Sequence, residues 1–206
     1  LAPASVAGDY ACAEGVFTVP LSEHGPVTAP VVLTDPALAC DPLQNGPALA
    51  GKIALMDRGT CFFVDKVRAV QNAGAVGVIV VNNVDGPPIE MGGVGDTSDI
   101  RIPGVMISQL DGIVLKGQLG NGLTVTLDAF AAVGRPELAD QISDSSARGP
   151  GVGDGRLKPD LAAPGTGIIS AKAGTGFEGT SQTGTSMSAP HVAGAAALLR
   201  KARPAW

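Results

Sequence analysis

Apolar positions along the chain fall into short runs whose period changes from segment to segment. Lys52–Asp57 (KIALMD) is an almost unbroken apolar run of strand length, the pattern of a strand buried on both faces. Phe62–Ala73 then switches to the helical period, with Phe63, Val67 and Val70 at i, i+4 and i+7 on one face. Gly74 supplies a left-handed stop. Val76–Asn82 (VGVIVVN) reads as a second buried strand, closed by the turn residues Asn83 and Asp85-Gly86-Pro87-Pro88. Pro103–Ile107 reads as a third. Ser108 and Asp111 have the spacing of a capping box, so a helix is predicted from Ser108 to about Gly120-Asn121-Gly122. In Leu123–Phe130, Leu123, Val125 and Leu127 alternate with Thr124, Thr126 and Asp128, which predicts a half-buried strand.

The texture changes after Phe130. From Ala131 the chain is rich in Gly, Ser, Asp and Pro until a last apolar stretch. The predicted organisation is therefore an α/β domain over 1–130 and a second segment over 131–206. In that segment, Met187 onward is small or apolar (MSAPHVAGAAALL), as a fully buried helix requires. Pro190 is tolerable only where N–H groups lack intrahelical acceptors, which places the helix start close to Ser186.

Composition narrows the classes. The 206 residues carry a net charge of −5 with no basic cluster, so there is no electrostatic footprint for nucleic acid. No apolar run approaches the roughly 20 residues of a membrane span. Of three cysteines, Cys40 and Cys61 flank a loop-and-strand unit and are the favoured pair; three free thiols are the alternative. A bridge would imply an oxidising, extracellular compartment and leave Cys12 without a partner in this segment. Without an initiator Met, and ending just past a helical pattern, the sequence reads as a piece of a longer chain.

Several polar groups compete as sites. Asp57-Arg58-Gly59 reads as a turn with a local ion pair rather than a site. Asp96 and Asp99 are two loop carboxylates without the fuller oxygen cluster that calcium needs. His24 falls in a surface loop. The glycine-rich stretches Gly149–Gly155 and Gly174–Gly184 lack the GK(S/T) ending of a phosphate loop.

Ser186 is the sharp candidate. A serine before a helix is, taken alone, an N-cap. A hydroxyl there also lies beside unsatisfied N–H groups at the positive end of the dipole. As a nucleophile, Ser186 would place its own backbone N–H to receive charge developing on an attacked carbonyl, one arm of an oxyanion hole. Gly184 permits close backbone approach, and Ser188 in place of a second Gly departs from the GxSxG elbow. His191, five residues on, points about 140° away around the helix and is expected to be a buried structural histidine, not the base.

Two resemblances bear on these readings. Gly51–Asn83 (GKIALMDRGTCFFVDKVRAVQNAGAVGVIVVNN) and Ile102–Ser108 (IPGVMIS) resemble the protease-associated (PA) domain. This implies a PA-type β-barrel or sandwich with flanking helices and no catalytic groups. Gly184–Leu199 (GTSMSAPHVAGAAALL) resembles the nucleophile motif of the subtilases, whose common form is GTSMAxPHVAG. Ile142–Pro150 (ISDSSARGP), Leu157–Gly165 (LKPDLAAPG) and Gly167–Ala171 (GIISA) agree in order. That resemblance implies a partial subtilisin-like α/β segment ending in the buried nucleophile helix of a secreted serine endopeptidase acting on polypeptides. Ser186 is then the nucleophile, and its His, Asp and Asn partners come from the upstream part of the same peptidase domain. No cofactor or metal is implied, calcium being left open for a longer enzyme without support here. The rivals are a non-enzymatic PA-type interaction or substrate-gating module, and another serine hydrolase such as an esterase.

Overall fold

The computed structural model describes residues 6–129, 141–143, 145–153, 155–177 and 179–205. The chain divides into two units, Leu1–Gly134 and Arg135–Trp206. The junction expected at 130–131 lies outside the described residues.

The first unit is organised by strands whose alternate residues serve opposite faces of one sheet. In β3 (Ile53–Asp57), Ile53 and Leu55 enter one apolar cluster and Ala54 and Met56 the other, and all four are fully buried. β4 (Gly77–Val81) divides its valines and Ile79 in the same way. These strands and β5 (Gly104–Ile107) are parallel, and β2 (Val27–Leu33) runs parallel to β3. Short antiparallel strands close the edges: β1 (Cys12–Glu14) against β5, and β6 (Thr124–Leu127) against β2. The order is β1-β5-β4-β3-β2-β6, so the expected barrel or sandwich resolves to a single six-stranded mixed sheet. A parallel sheet needs cover on both faces, and helices supply it.

α2 (Phe63–Asn72) covers one face through Val64, Val67 and Val70. Each such valine contributes roughly 1.5–3 kcal/mol on burial, an upper bound against an extended unfolded chain. α3 (Gln109–Lys116) covers the other through Leu115 and Gly112. Its N-cap forms as the Ser108–Asp111 spacing requires, with the Asp111 N–H donating to Ser108 Oγ at 3.1 Å. The helix stops at Lys116, earlier than expected. A separate 3-10 turn, Leu119–Asn121, completes the path to Gly122, which is left-handed at φ 75°. His24 is not in a loop: it ends the one-turn helix α1 (Leu21–His24).

The second unit contains a two-stranded antiparallel ladder, β7 (Ile168–Ala171) with β8 (Gly179–Gln182), and the helix α4 (Thr185–Ala202). The expected burial of α4 is not met. None of its residues is buried, and Leu198 and Leu199 are 70% and 51% exposed. The physical reason is that small apolar side chains are buried only where another layer covers them, and no described layer does so here.

Candidate functional site

The start of α4 is assembled from three separate stretches of sequence. Gly184 is the N-cap, and the Met187 N–H closes a tight first turn on its carbonyl at 3.0 Å. Ser186 is the second helical residue, where the backbone N–H has no intrahelical acceptor. Its side chain is exposed. Pro190 lies deeper than the first turn. It falls inside the helix, where it has no N–H to give the Ser186 carbonyl four residues back.

His191 is exposed, not buried, and its Nδ1 meets the Met187 carbonyl at 2.8 Å, one turn back along the helix. That contact engages the ring with the helix's own backbone. A base would instead lie within hydrogen-bond reach of the hydroxyl it deprotonates. His24, in the first unit, faces the Gly25 carbonyl at 3.3 Å.

The Gly165 end of Leu157–Gly165 meets the helix start. The Gly184 N–H donates to the Gly165 carbonyl at 2.7 Å, and the Gly167 N–H donates to Thr183 Oγ1 at 2.9 Å. A cleft of about 660 Å³ lies beside this junction. It is lined by Ile142, Ser143, Ser145 and Ser146, by Pro159 and Leu161–Thr166, and by the helix residues Thr185, Ser188, Ala189 and Val192. Three stretches distant in sequence thus meet around one helix terminus. Ser186 is not among the residues lining that cleft: Ser188, two residues on, is turned about 200° from it around the helix. Of the two glycine-rich stretches, the second holds β8 and leads into Gly184. Sequence reasoning missed the Gly165–Gly184 contact, for which the only signal was a glycine in the AAPG turn.

Charged groups of the first unit are held in structural pairs. Asp57 does not pair with its neighbour Arg58. It forms an ion pair with Lys116 of α3, while Arg58 Nη1 donates to Asn82 Oδ1 at 2.8 Å. Asp99 receives Arg68 Nε at 2.5 Å and Arg68 Nη2 at 2.8 Å. Those hydrogen bonds hold the Asp99 carboxyl below the ordinary carboxylate range. Among the described residues no group of three or more His, Cys, Asp or Glu could hold a metal.

Cys40 and Cys61 form a disulfide with Cα atoms 5.7 Å apart, and Cys12 is an exposed free thiol. Beside the bridge, Lys66 of α2 is fully buried. Its ammonium donates to the Leu38 carbonyl and lies 3.2 Å from Cys40 Sγ. Burial pushes its pKa below the ordinary lysine value, with Asp57 opposing. The buried charge is compatible with the fold because it is hydrogen-bonded.

This arrangement, a four-strand parallel core flanked by α2 and α3, coincides with a match to a family model described as the PA domain over residues 27–115. Residues 27–115 are a PA domain. It encloses the Cys40–Cys61 bridge, Lys66 and Asp57, whose ion-pair partner Lys116 lies one residue past its matched bound. β1 and β6 lie beyond its matched bounds and complete its sheet.

The chain is 37% identical over 166 residues to the minor extracellular protease Vpr of Bacillus subtilis, across 79% of this chain and 20% of that protein. It is 41% identical over 152 residues to a C5a peptidase of Streptococcus pyogenes, across 73% of this chain and 12% of the relative. The chain therefore spans a fifth or less of these relatives. A solved zinc aminopeptidase of Bacillus subtilis is 27% identical, with 53% of this chain and 26% of that one covered at a TM-score of 0.44. At that score the likeness carries no argument. No helix among the described residues is long and apolar enough to cross a membrane.

Proposed function

We propose that this chain is part of a secreted subtilisin-like serine endopeptidase, with Ser186 as the nucleophile and the PA domain inserted ahead of it. The observation that carries the reading is the convergence of Ile142, Ser143, Ser145 and Ser146 and of Leu161–Thr166 with Gly184, Thr185, Ser188 and Ala189 around the α4 N-terminus. These are the stretches whose sequences resemble the subtilase motifs. The relatives add weight. The first unit is 134 residues of 206, so matches over 79% and 73% of the chain run past it into the second unit. The PA domain alone does not account for them.

On this reading Ser186 Oγ attacks the scissile carbonyl carbon while its proton passes to a histidine base. The backbone N–H of Ser186 meets the charge on the carbonyl oxygen. The C–N bond then breaks, the amine leaves with the proton, and water hydrolyses the acyl-enzyme. The base, its orienting Asp and an Asn donor belong to the upstream part of the same peptidase domain. Residues 141–205 fit such a partner, since the exposed apolar residues of α4 call for a further layer. The Cys40–Cys61 bridge fits an oxidising, extracellular setting. The segment alone is expected to be inactive, because the hydroxyl stays protonated without a base.

The test compares the full-length parent with its Ser186→Ala variant on casein. Loss of activity in the variant is expected, and equal activity ends the assignment. A second reading, a non-enzymatic PA-type interaction or substrate-gating module, draws on the position of Ser186 outside the cleft. It requires that the parent itself cleave nothing.

A further inference from the structure

We propose that Gly165 is a positioning residue for Ser186, its missing side chain fixing where α4 begins. The inference rests on the serine-peptidase reading above. Two observations carry it. The Gly165 carbonyl accepts the N–H of Gly184, the N-cap two residues before Ser186, at 2.7 Å. A Cβ placed on Gly165 would fall 2.1 Å from Ser188 Oγ and 2.9 Å from the Gly184 carbonyl oxygen.

The glycine is required by space, since Gly165 is not among the residues with positive φ. The two close contacts differ in kind. Ser188 Oγ ends a short side chain and can rotate aside. The Gly184 carbonyl is backbone and moves only if the helix start moves. Any side chain at 165 therefore displaces the Gly184–Thr185 peptide, which immediately precedes the one carrying the Ser186 N–H. Misplacement of reactive groups by about 1 Å costs roughly 100-fold in rate, so the shift of a few tenths of an ångström that a 2.9 Å contact calls for is expected to cost about tenfold. The residue touches no reacting atom; it acts through Gly184. A small displacement of the helix start is expected to fall on kcat more than on KM.

The experiment uses the full-length parent with four variants: Ser186→Ala, Gly165→Ala, Ser188→Ala and the Gly165→Ala/Ser188→Ala double variant. Gly165→Ala is expected to lower kcat about tenfold with KM within about threefold. Ser188 Oγ can rotate aside and the Gly184 carbonyl cannot, so the same Gly165→Ala change made in the Ser188→Ala background is expected to cost about as much. A kcat for Gly165→Ala within about threefold of the parent overturns the proposal, as does a loss that disappears in the Ser188→Ala background, which would trace it to the side-chain contact and not to the Gly184 carbonyl. If Ser186→Ala keeps full activity, the peptidase reading itself fails. If Ser186→Ala is inactive and Gly165→Ala is fully active, only the positioning role fails. Should Gly165→Ala not accumulate as folded protein, amide exchange of Gly184 in the unmodified full-length parent decides. Protection is expected, and exchange at the rate of an open amide contradicts the contact.

Discussion

At Gly112 α3 lies close against β4, and filling that contact is expected to destabilise the PA domain. A Cβ at Gly112 would lie 2.1 Å from Val81 Cγ1, 2.7 Å from Cγ2 and 2.9 Å from Cβ. Rotating the valine leaves its Cβ in place, and Val81 is only 4% exposed on β4, in the sheet's central region. The helix itself must lift, thinning the packing of Leu115 on the same face. Overpacking of this kind costs about 1–3 kcal/mol, and a contact to a fixed Cβ belongs at the upper end. Alanine returns about 1 kcal/mol of helix propensity. The net expectation for Gly112→Ala is a loss of about 2 kcal/mol, measured as the shift in a urea transition of the 206-residue chain followed by far-UV circular dichroism. Shortening the opposing residue relieves the clash, so Val81→Ala and Gly112→Ala together are expected to destabilise by about 1 kcal/mol less than the sum of the two. Stability of Gly112→Ala at or above that of the parent chain refutes the packing argument.

The remaining expectations concern the bridge and the charged loop. The Cys40–Cys61 bridge closes a separation of 21 residues, so Cys40→Ser with Cys61→Ser is expected to lower stability by about 3 kcal/mol in the chain-entropy model, read from the same urea transition. Asp99 is held below the ordinary carboxylate range first by its hydrogen bonds from Arg68. Carbon-detected NMR titration is expected to show a lowered midpoint that rises toward about 3.9 in Arg68→Gln. The sign follows from linkage: the contribution is present above the unfolded value of about 3.9 and is lost as pH falls through the lowered folded value. Salt is expected to weaken it, since the pair is solvent-exposed.

The sequence made the centre of the PA domain readable because its strands are buried on both faces. Ile53–Met56 and Val78–Val81 need apolar residues at every position, and such runs stand out. The edges did not stand out. β2 carries Pro30 in mid-strand, which disguises it. The proline lies where the strand changes partner: Val27–Pro30 pair with β6 and Val31–Leu33 with β3. Pro30 is exposed, so the missing N–H costs little. The ion pair of Asp57 was misread because sequence proximity favoured Arg58, whereas the fold brings Lys116 to it from 59 residues away. In the second unit, a pattern of small apolar residues says what a helix needs around it. It does not say which neighbours supply that surrounding, so the burial of α4 and His191 was overstated. Gly165 escaped notice for a related reason: a glycine required by space looks in sequence like one required by a turn.

The most direct test of the central claim is where a fluorophosphonate attaches to the full-length parent, mapped by peptide mass spectrometry. The account expects a single adduct, on Ser186, that is absent from heat-denatured protein and whose formation stops casein cleavage in proportion. A parent that cleaves casein while Ser186 stays unmodified, or that is inactivated through a different residue, contradicts it.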